Sequence, residues 1–300
     1  MTAQVILATL VRSPEEKTGA HILIDSLRAF GGELRECPVW IFEAHPHNAP
    51  CRELANDLIR VLTLDAPASL NNYWFADKVA ACAYAEALAS VETRSLIWMD
   101  ATMLCVQPPT LFDLGDEFDT AFRPVHIRNV GSLASEPLDD FWCGVYTSIG
   151  VDDVALTVES FVDAQRLRAY FNTHAFAINP RLGLLTRWRD SFAALVCDAD
   201  FQTRASHDTR HQIFLHQAIL SALVAATIEP PRIRILPPTY NYPYNLHARV
   251  PSGRRAASLS DLVCLTHEDR SLHPNTMTDI QVDAPLRAWL AQHTTGNIGA

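Results

Sequence analysis

The chain of 300 residues is 48% hydrophobic, which is enough apolar material to bury a large core. Its formal net charge of -10 excludes the overall positive potential that nucleic acids and anionic membranes require. No apolar stretch approaches the length of a membrane span, and the N-terminus lacks a basic leader segment. The seven scattered cysteines show no paired metal-ligand spacing. These features predict a cytoplasmic protein without a nucleic-acid partner or a membrane span, and they leave the oligomeric state open.

Strands and helices alternate in the first hundred residues. Apolar runs predict strands at residues 5–11, 38–42 and 61–64, and a polar loop at residues 12–17. Helices are predicted at residues 21–30, closed by Gly31 and Gly32, at residues 52–59, and at residues 78–89, capped by Asp77 or a neighbour. This alternation predicts parallel strands joined by right-handed crossovers, as in a Rossmann-type sheet.

An apolar run at residues 96–106 carries a single carboxylate, Asp100, and stops before Pro108 and Pro109. Such a run predicts a buried parallel strand with a functional residue at its C-terminal end, where ligands bind in open α/β sheets. A carboxylate there can hold a divalent cation that neutralises a diphosphate. It can equally cap a turn or pair with an arginine.

The second half of the chain is less regular. Strands are predicted at residues 120–123, 169–178, 233–236 and 262–265. Helices are predicted at residues 139–146, 181–196, 208–226 and 284–293. The expected fold class is therefore α/β, with a mixed sheet toward the C-terminus.

Four segments in order along the chain carry a resemblance to a known family. They are residues 98–102 (WMDAT), 170–180 (YFNTHAFAINP), 214–220 (FLHQAIL) and 265–268 (LTHE). Together they resemble the GT-A-fold nucleotide-sugar glycosyltransferases, particularly the glycogenin-like and related bacterial enzymes. The resemblance implies a single GT-A-like domain over residues 1–300, with a nucleotide-binding half at about 1–106 and an acceptor-side half at about 107–300. It implies transfer of a sugar from a nucleotide-diphosphate donor to an unknown acceptor.

The family's Asp-x-Asp motif is degenerate in this chain. The first aspartate matches Asp100, but Thr102 stands at the second position and is a neutral, weaker metal ligand. In glycogenin-like enzymes a histidine near the C-terminus completes the metal site, and His267 matches it, with His273 as the fallback. The resemblance therefore implies Asp100, Thr102 and His267 as ligands of Mn²⁺ or Mg²⁺, with metal dependence put in doubt by Thr102.

The sugar pocket implied by the resemblance involves the two middle segments. Asn172 matches an asparagine that faces the donor sugar, and His174 stands where glycine or another small residue is usual. His216 replaces the aspartate of an Asp-Gln pair, and Gln217 matches its glutamine. A histidine can hydrogen-bond a sugar but cannot be that carboxylate, so no retaining or inverting outcome is assigned. We therefore expect Asp100, His216 and Gln217 to be catalytic, and Asn172 and His174 to bind substrate.

Five further candidates come from the residues themselves. Lys78 begins the helix before the central strand, where an ammonium could meet phosphate oxygens. Tyr240 and Asn241 begin a tyrosine-rich loop suited to stacking on sugars. Arg123 is a further candidate substrate-binding residue in the acceptor half, and Asp140 is a candidate general base for an acceptor hydroxyl.

Two alternative functions fit the same residues. The substitutions at Thr102, His174 and His216 are compatible with a catalytically degenerate nucleotide-sugar-binding or scaffold protein of the same fold. His207 and His211, four residues apart on a helix, could form a His-rich metal hydrolase with Asp100. A polar helix start that happens to carry two histidines explains the same spacing.

Overall fold

A computed structural model of the chain describes residues 4–65, 70 and 73–294. Its helices are Pro14–Phe30 (α1), Ala76–Leu88 (α2), Asp140–Ser148 (α3), Leu184–Cys197 (α4), Ala199–Arg204 (α5), Thr209–Thr227 (α6) and Ala284–His293 (α7). Its strands are Val5–Val11 (β1), Val39–Glu43 (β2), Ile59–Thr63 (β3), Ser95–Met99 (β4), Met103–Cys105 (β5), Thr120–Phe122 (β6), Thr157–Glu159 (β7), Arg166–Arg168 (β8), Ala175–Ile178 (β9), Ile233–Ile235 (β10), Tyr242–Pro243 (β11) and Cys264–Thr266 (β12). Within these ranges, no helix has the length and apolar character needed to cross a membrane.

A seven-stranded, mostly parallel sheet forms the centre of the fold, in the order β10-β6-β9-β4-β1-β2-β3. Strands β4, β1, β2 and β3 run parallel to one another. β9 lies antiparallel between β4 and β6, and β10 pairs with β6 in parallel. The predicted Rossmann-type arrangement is confirmed, and three strands from the less regular second half complete the same sheet.

Both faces of this sheet are buried, which explains the continuous apolar runs. In β4, Leu96 and Trp98 pack into one core with α2, α4 and α6. Ile97 and Met99 pack into a second core on the other face, together with α1. A strand covered on both sides selects apolar residues at every position instead of at alternate positions.

The apolar run at residues 96–106 is not one strand. β4 ends at Met99, and β5 belongs to a small second sheet with β12 and β11. The amide of Met103 donates to the carbonyl oxygen of Asp100 at 2.9 Å, which closes a turn between them. Since Ala101 and Met103 are both buried, hydrophobicity alone gives no sign of this break. The turn places Asp100 at the carboxyl end of β4.

Several other predicted boundaries are wrong. α1 begins at Pro14 inside the predicted loop, because Ser13 caps the helix by accepting from the amide of Glu16. The predicted helix at residues 52–59 is a single 3₁₀ turn at Arg52–Leu54 followed by β3. α2 begins after Phe75 without a side-chain cap, so Asp77 is not the cap. In the predicted strand at residues 169–178, only β9 is regular.

A buried glutamate of α2 anchors the start of α4. α4 has no side-chain cap of its own. Glu86, 6% exposed, accepts hydrogen bonds from the amides of Leu185 at 2.9 Å and Thr186 at 2.8 Å. A carboxylate at a helix N-terminus satisfies free amides and interacts favourably with the helix dipole. This contact fixes α4 to α2, the helix that carries Lys78.

Candidate active site

A cavity of about 320 Å³ opens at the carboxyl end of β4. This is the edge of the sheet at which ligands bind in open α/β folds. Six of the residues predicted from sequence line it, namely Lys78, Asp100, Thr102, His174, His216 and Gln217. These residues come from separate segments of the chain, and the fold brings them together.

Asp100 is held by a lysine and a tryptophan. Its Oδ2 accepts from Nζ of Lys78 at 2.8 Å, and its Oδ1 accepts from Nε1 of Trp98 at 2.7 Å. The side chain of Lys78 is 4% exposed and that of Asp100 is 19% exposed. The ion pair is therefore nearly buried, and it fixes the direction of the carboxylate at the cavity floor.

The turn that carries Asp100 is fixed from both sides. On one side, a Cβ placed on Gly19 of α1 would lie 2.4 Å from the carbonyl oxygen of Ala101, so only glycine allows this close approach. On the other side, the amide of Asp100 donates to the carbonyl oxygen of His174 at 2.8 Å. The position of the carboxylate thus depends on the packing of α1 and on the segment before β9.

His216 and Gln217 lie on α6 and are 3% and 4% exposed. Nδ1 of His216 faces the carbonyl oxygen of Ile213 at 2.9 Å and carries the proton, so Nε2 accepts from the hydroxyl of Thr173 at 3.1 Å. Burial, followed by the charge of Lys78, lowers the pKa of His216 well below its ordinary value. His216 is therefore a neutral hydrogen-bonding group in the cavity wall and cannot act as the carboxylate it replaces.

Asn172 lies behind the cavity wall and positions His174. It is 5% exposed, and its Oδ1 accepts from both the amide and Nδ1 of His174 at 2.8 Å and from Nδ2 of Asn241 at 2.7 Å. Nε2 of His174 lies 3.4 Å from Oε1 of Glu268. The hydrogen bond from His174 lowers the pKa of the Glu268 carboxyl. Asn172 does not line the cavity, so its contribution there is made through His174.

Four residues that the sequence reasoning missed also line the cavity: Arg12, Glu16, Phe75 and Glu268. Nε of Arg12 donates to Oε1 of Glu16 at 3.0 Å. Phe75 and Glu268 have left-handed backbones with φ of 61° and 48°, a conformation that concentrates at functional sites. The position of Arg12 directly after β1, at the same sheet edge as Asp100, is the signal that could have identified it.

The predicted metal ligands do not form a metal site in this arrangement. Across residues 4–65, 70 and 73–294, no three His, Cys, Asp or Glu side chains are grouped so that they could hold a metal ion. The amide of His267 donates to the carbonyl oxygen of Thr102 at 3.0 Å, but the ring does not line the cavity. Both ring nitrogens are buried and have no hydrogen-bond partner within the described ranges. Burial lowers the pKa of His267 to about 4. Because Thr102 is neutral and Asp100 is already held by two donors, these side chains do not fit Mn²⁺ or Mg²⁺. The cofactor stays a prediction.

The predicted general base Asp140 and the remaining predicted substrate-binding residues lie outside this cavity. Asp140 is exposed in the first turn of α3. Tyr240 is 3% exposed, and its hydroxyl accepts from the amide of Leu111 at 3.0 Å, so it is a core residue. Arg123 and Asn241 are buried at 2% and 0% exposure, and Nη1 of Arg123 donates to the carbonyl oxygen of Asn241.

His207 and His211 do not lie beside Asp100. Nδ1 of His211 contacts Oδ2 of Asp208 at 2.7 Å, and Nδ1 of His207 contacts the carbonyl oxygen of Arg204 at 3.3 Å. Neither histidine lines the cavity, and His273 does not line it either. This arrangement gives no support to the His-rich metal hydrolase.

The fold is comparable to folds already known from solved structures. A mostly parallel seven-stranded sheet with the reversed strand β9 beside β4 matches the GT-A-like folds of glycosyltransferases, which confirms the predicted fold class. No family model and no curated protein matches the chain.

Three solved structures are similar to this chain over nearly its whole length. The galactosyltransferase LgtC in complex with donor and acceptor sugar analogues matches with a TM-score of 0.55 and 13% identity, over 99% of this chain and 97% of that one. An active-site mutant of LgtC matches with a TM-score of 0.56 and 14% identity, over 97% and 96%. The apo form of the bifunctional glycosyltransferase WbbM matches with a TM-score of 0.54 and 10% identity, over 98% of this chain and 52% of that one. At these identities the likeness shows the fold alone.

Proposed function

We propose that this protein is a glycosyltransferase that binds a nucleotide-diphosphate sugar in the cavity at the carboxyl end of β4 and transfers the sugar to an acceptor. The observation that carries the proposal is the convergence of Lys78, Asp100, His174, His216 and Gln217 on that one cavity. Among solved structures with this fold is a galactosyltransferase complexed with donor and acceptor sugar analogues.

Lys78 and Arg12 supply positive charge for the diphosphate. Each is paired with a carboxylate, Lys78 with Asp100 at 2.8 Å and Arg12 with Glu16 at 3.0 Å. A phosphate that enters the cavity competes with these carboxylates for the same donors. The ammonium of Lys78 is nearly buried, so its attraction for a phosphate oxygen is screened much less than on the surface. It is placed to stabilise the charge that develops on the leaving diphosphate.

The other side of the cavity suits the sugar. The amide of Gln217 offers both donors and an acceptor to sugar hydroxyls. Glu268 is positioned by His174, and the hydrogen bond from that histidine lowers its pKa, which keeps it a carboxylate at neutral pH. A carboxylate there can take the proton of an acceptor hydroxyl or stabilise positive charge developing on the sugar. We assign this role to Glu268 in place of Asp140.

Calorimetric titration of the purified chain tests the proposal. The donors are UDP-glucose, UDP-galactose, GDP-mannose and dTDP-glucose, and each is measured once with EDTA and once with Mn²⁺. At least one donor is expected to bind, and Lys78→Met should weaken that binding about 10-fold or more, since hydrogen bonds to charged groups are worth about 1.5–3 kcal/mol. The chain has a matched control in its other lysine, Lys17, which pairs with Glu53 and does not line the cavity. Lys17→Met should leave affinity unchanged. Failure of every donor to bind under both conditions would refute the proposal.

A nucleotide-sugar-binding protein without transfer activity is the second candidate. It is favoured by the histidines in the cavity, because both ring nitrogens of His216 are already engaged by protein groups. Release of nucleoside diphosphate from the bound donor, measured by chromatography, separates the two. Release that is lost in Glu268→Gln while donor affinity is retained indicates a transferase, and binding without release indicates the alternative.

A further inference from the structure

A second cavity, of about 540 Å³, lies beside the carboxyl ends of β6 and β10. Apolar side chains dominate its walls, with Leu156, Val158 and Phe161 from the β7 region and Ile235 and Leu236 from the β10 region. Ile235 is 46% exposed, which is unusual for a large apolar side chain in this protein. The cavity therefore offers a ligand an apolar surface next to the edge of the sheet that carries the candidate active site.

Arg123 also lines this cavity and is a buried cation to which no carboxylate of the described residues is paired. It is 2% exposed, and the carbon of its guanidinium lies 4.4 Å from the ring centroid of Phe161. Nη1 donates to the carbonyl oxygen of Asn241 and contacts Nδ1 of His126 at 3.3 Å, whereas Nη2 is buried and finds no hydrogen-bond partner among the residues that the structure describes. Within the described ranges no carboxylate is among the charges that act on Arg123.

His126 adds a second unmatched donor beside Arg123. Since a guanidinium only donates, Nδ1 of His126 accepts from it and Nε2 carries the proton. That Nε2 is also buried, and no group in the described part of the chain accepts from it. Burial lowers the pKa of Arg123 to about 9, so the guanidinium stays charged at neutral pH. Burying an unpaired charge is strongly unfavourable, and an anion from outside the chain would relieve it.

We propose that this second cavity binds a ligand that joins an oxyanion, a carboxylate or a phosphate, to an apolar group. The oxyanion pairs with Arg123, and the apolar group lies against Val158, Phe161 and Ile235. Either anion suits a guanidinium, because the planar group can donate two parallel hydrogen bonds to two oxygens of a carboxylate or of a phosphate.

The second cavity is connected to the first through one ring contact and a chain of hydrogen bonds. The ring centroids of His126 and His174 lie 6.2 Å apart, and His174 lines the first cavity. Asn241, whose carbonyl oxygen accepts from Arg123, donates to Asn172, the residue that positions His174. Because the two cavities are this close, the role that fits the anionic, partly apolar ligand is that of acceptor of the transfer. That role rests on the proposed function, whereas the binding itself does not.

Calorimetry with phenyl phosphate, benzoate, octanoate and neutral benzyl alcohol tests the binding. At least one anion is expected to bind the wild-type chain about 10-fold more tightly than benzyl alcohol, and the three anions distinguish phosphate from carboxylate. Arg123→Met should remove this preference. Arg254→Met is the matched control, because Arg254 lines the same cavity but already pairs with Glu159 at 2.7 Å. It should change the affinity for the anion by less than about 2-fold.

A structural role for Arg123 gives a different result. If Arg123 only holds the backbone at Asn241 in place, Arg123→Met unfolds at a lower temperature and the wild type shows no preference for anions. On our proposal, replacing the unpaired cation with an apolar side chain leaves the unfolding temperature unchanged or raises it.

Ile235→Glu, at an exposed wall position, provides a second test because its charge should repel the anion without disturbing the core. Equal binding of anions and benzyl alcohol by the wild type, or anion binding unchanged in both variants, would overturn the proposal. Either result is independent of nucleotide-sugar binding.

Discussion

Lys78 and Asp100 form a nearly buried ion pair, and replacing either one should destabilise the fold strongly. The loss should be larger when Asp100 is replaced than when Lys78 is replaced. At 2.8 Å, two unit charges attract by about 6 kcal/mol at an effective dielectric of about 20, and the cost of removing both from water offsets much of this. Removing one member of such a pair costs about 3–5 kcal/mol. Lys78→Met leaves a carboxylate that is 19% exposed and still bonded to Trp98, so we expect about 3 kcal/mol. Asp100→Asn leaves an ammonium that is only 4% exposed, so we expect about 4 kcal/mol.

Thermal unfolding followed by the fluorescence of the six tryptophans measures these losses. At about 2 °C per kcal/mol for a chain of this size, the unfolding temperature should fall by about 6 °C in Lys78→Met and about 8 °C in Asp100→Asn. The double variant should fall by less than about 6 °C, the smaller of the two single losses, because the second change removes the charge that the first has left unpaired. Lys17→Met, whose partner Glu53 is 58% exposed, should fall by about 2 °C or less. Additive losses in the double variant, or equal losses in Lys78→Met and Lys17→Met, would refute the reasoning.

Four further outcomes are expected. Glu86→Ala leaves two amides of α4 without an acceptor and should lower stability by about 2–3 kcal/mol, whereas Glu86→Gln keeps an acceptor and should lose about half of that in thermal unfolding. Gly19→Ala places a Cβ 2.4 Å from the carbonyl oxygen of Ala101, so donor affinity in calorimetry should fall about 10-fold or more while circular dichroism stays unchanged. Burial holds the pKa of His267 at about 4, below the value of about 6.5 in the unfolded chain. The unfolded chain therefore takes up a proton first as the pH falls, so the stability that neutral His267 contributes is complete above pH 6.5 and is lost as the pH falls from there toward 4. In His267→Asn the unfolding temperature should therefore change less between pH 7 and pH 5 than it does in the wild type. Because the cavity side chains do not form a metal-ligand set, donor affinity should differ by less than about 10-fold between EDTA and Mn²⁺, and Thr102→Asp should increase that difference.

Each of these outcomes has a result that contradicts it. Equal losses in Glu86→Ala and Glu86→Gln would show that the carboxylate does not cap α4. Wild-type donor affinity in Gly19→Ala would show that the turn tolerates displacement. An unfolding temperature that depends on pH equally with and without His267 would assign the dependence to other groups. Donor binding that disappears in EDTA would show that a cation completes the site despite the side chains present.

Local sequence patterns determined the sheet and the type of residue at its functional edge. Continuous apolar runs identified β1, β2 and β4, because strands covered on both faces exclude polar residues. The same reasoning placed Asp100 at a strand end and Lys78 at a helix start, and both line one cavity. These features depend on hydrophobic periodicity over a few neighbouring residues, which a sequence shows directly.

Only the tertiary structure decided which side chains meet. The break after Asp100 depends on a close approach between Gly19 and Ala101, a contact across about 80 residues of chain that leaves no local pattern. Likewise, Glu268 enters the cavity and the neighbouring His267 does not, although the sequence pointed to His267. β12 ends at Thr266, and Glu268 lies in the turn that follows, so the shape of that turn decides which of the two neighbouring side chains reaches the site. That choice is fixed by the pairing of β12 with β5 and by the left-handed backbone at Glu268, both of which depend on the packing of the whole chain.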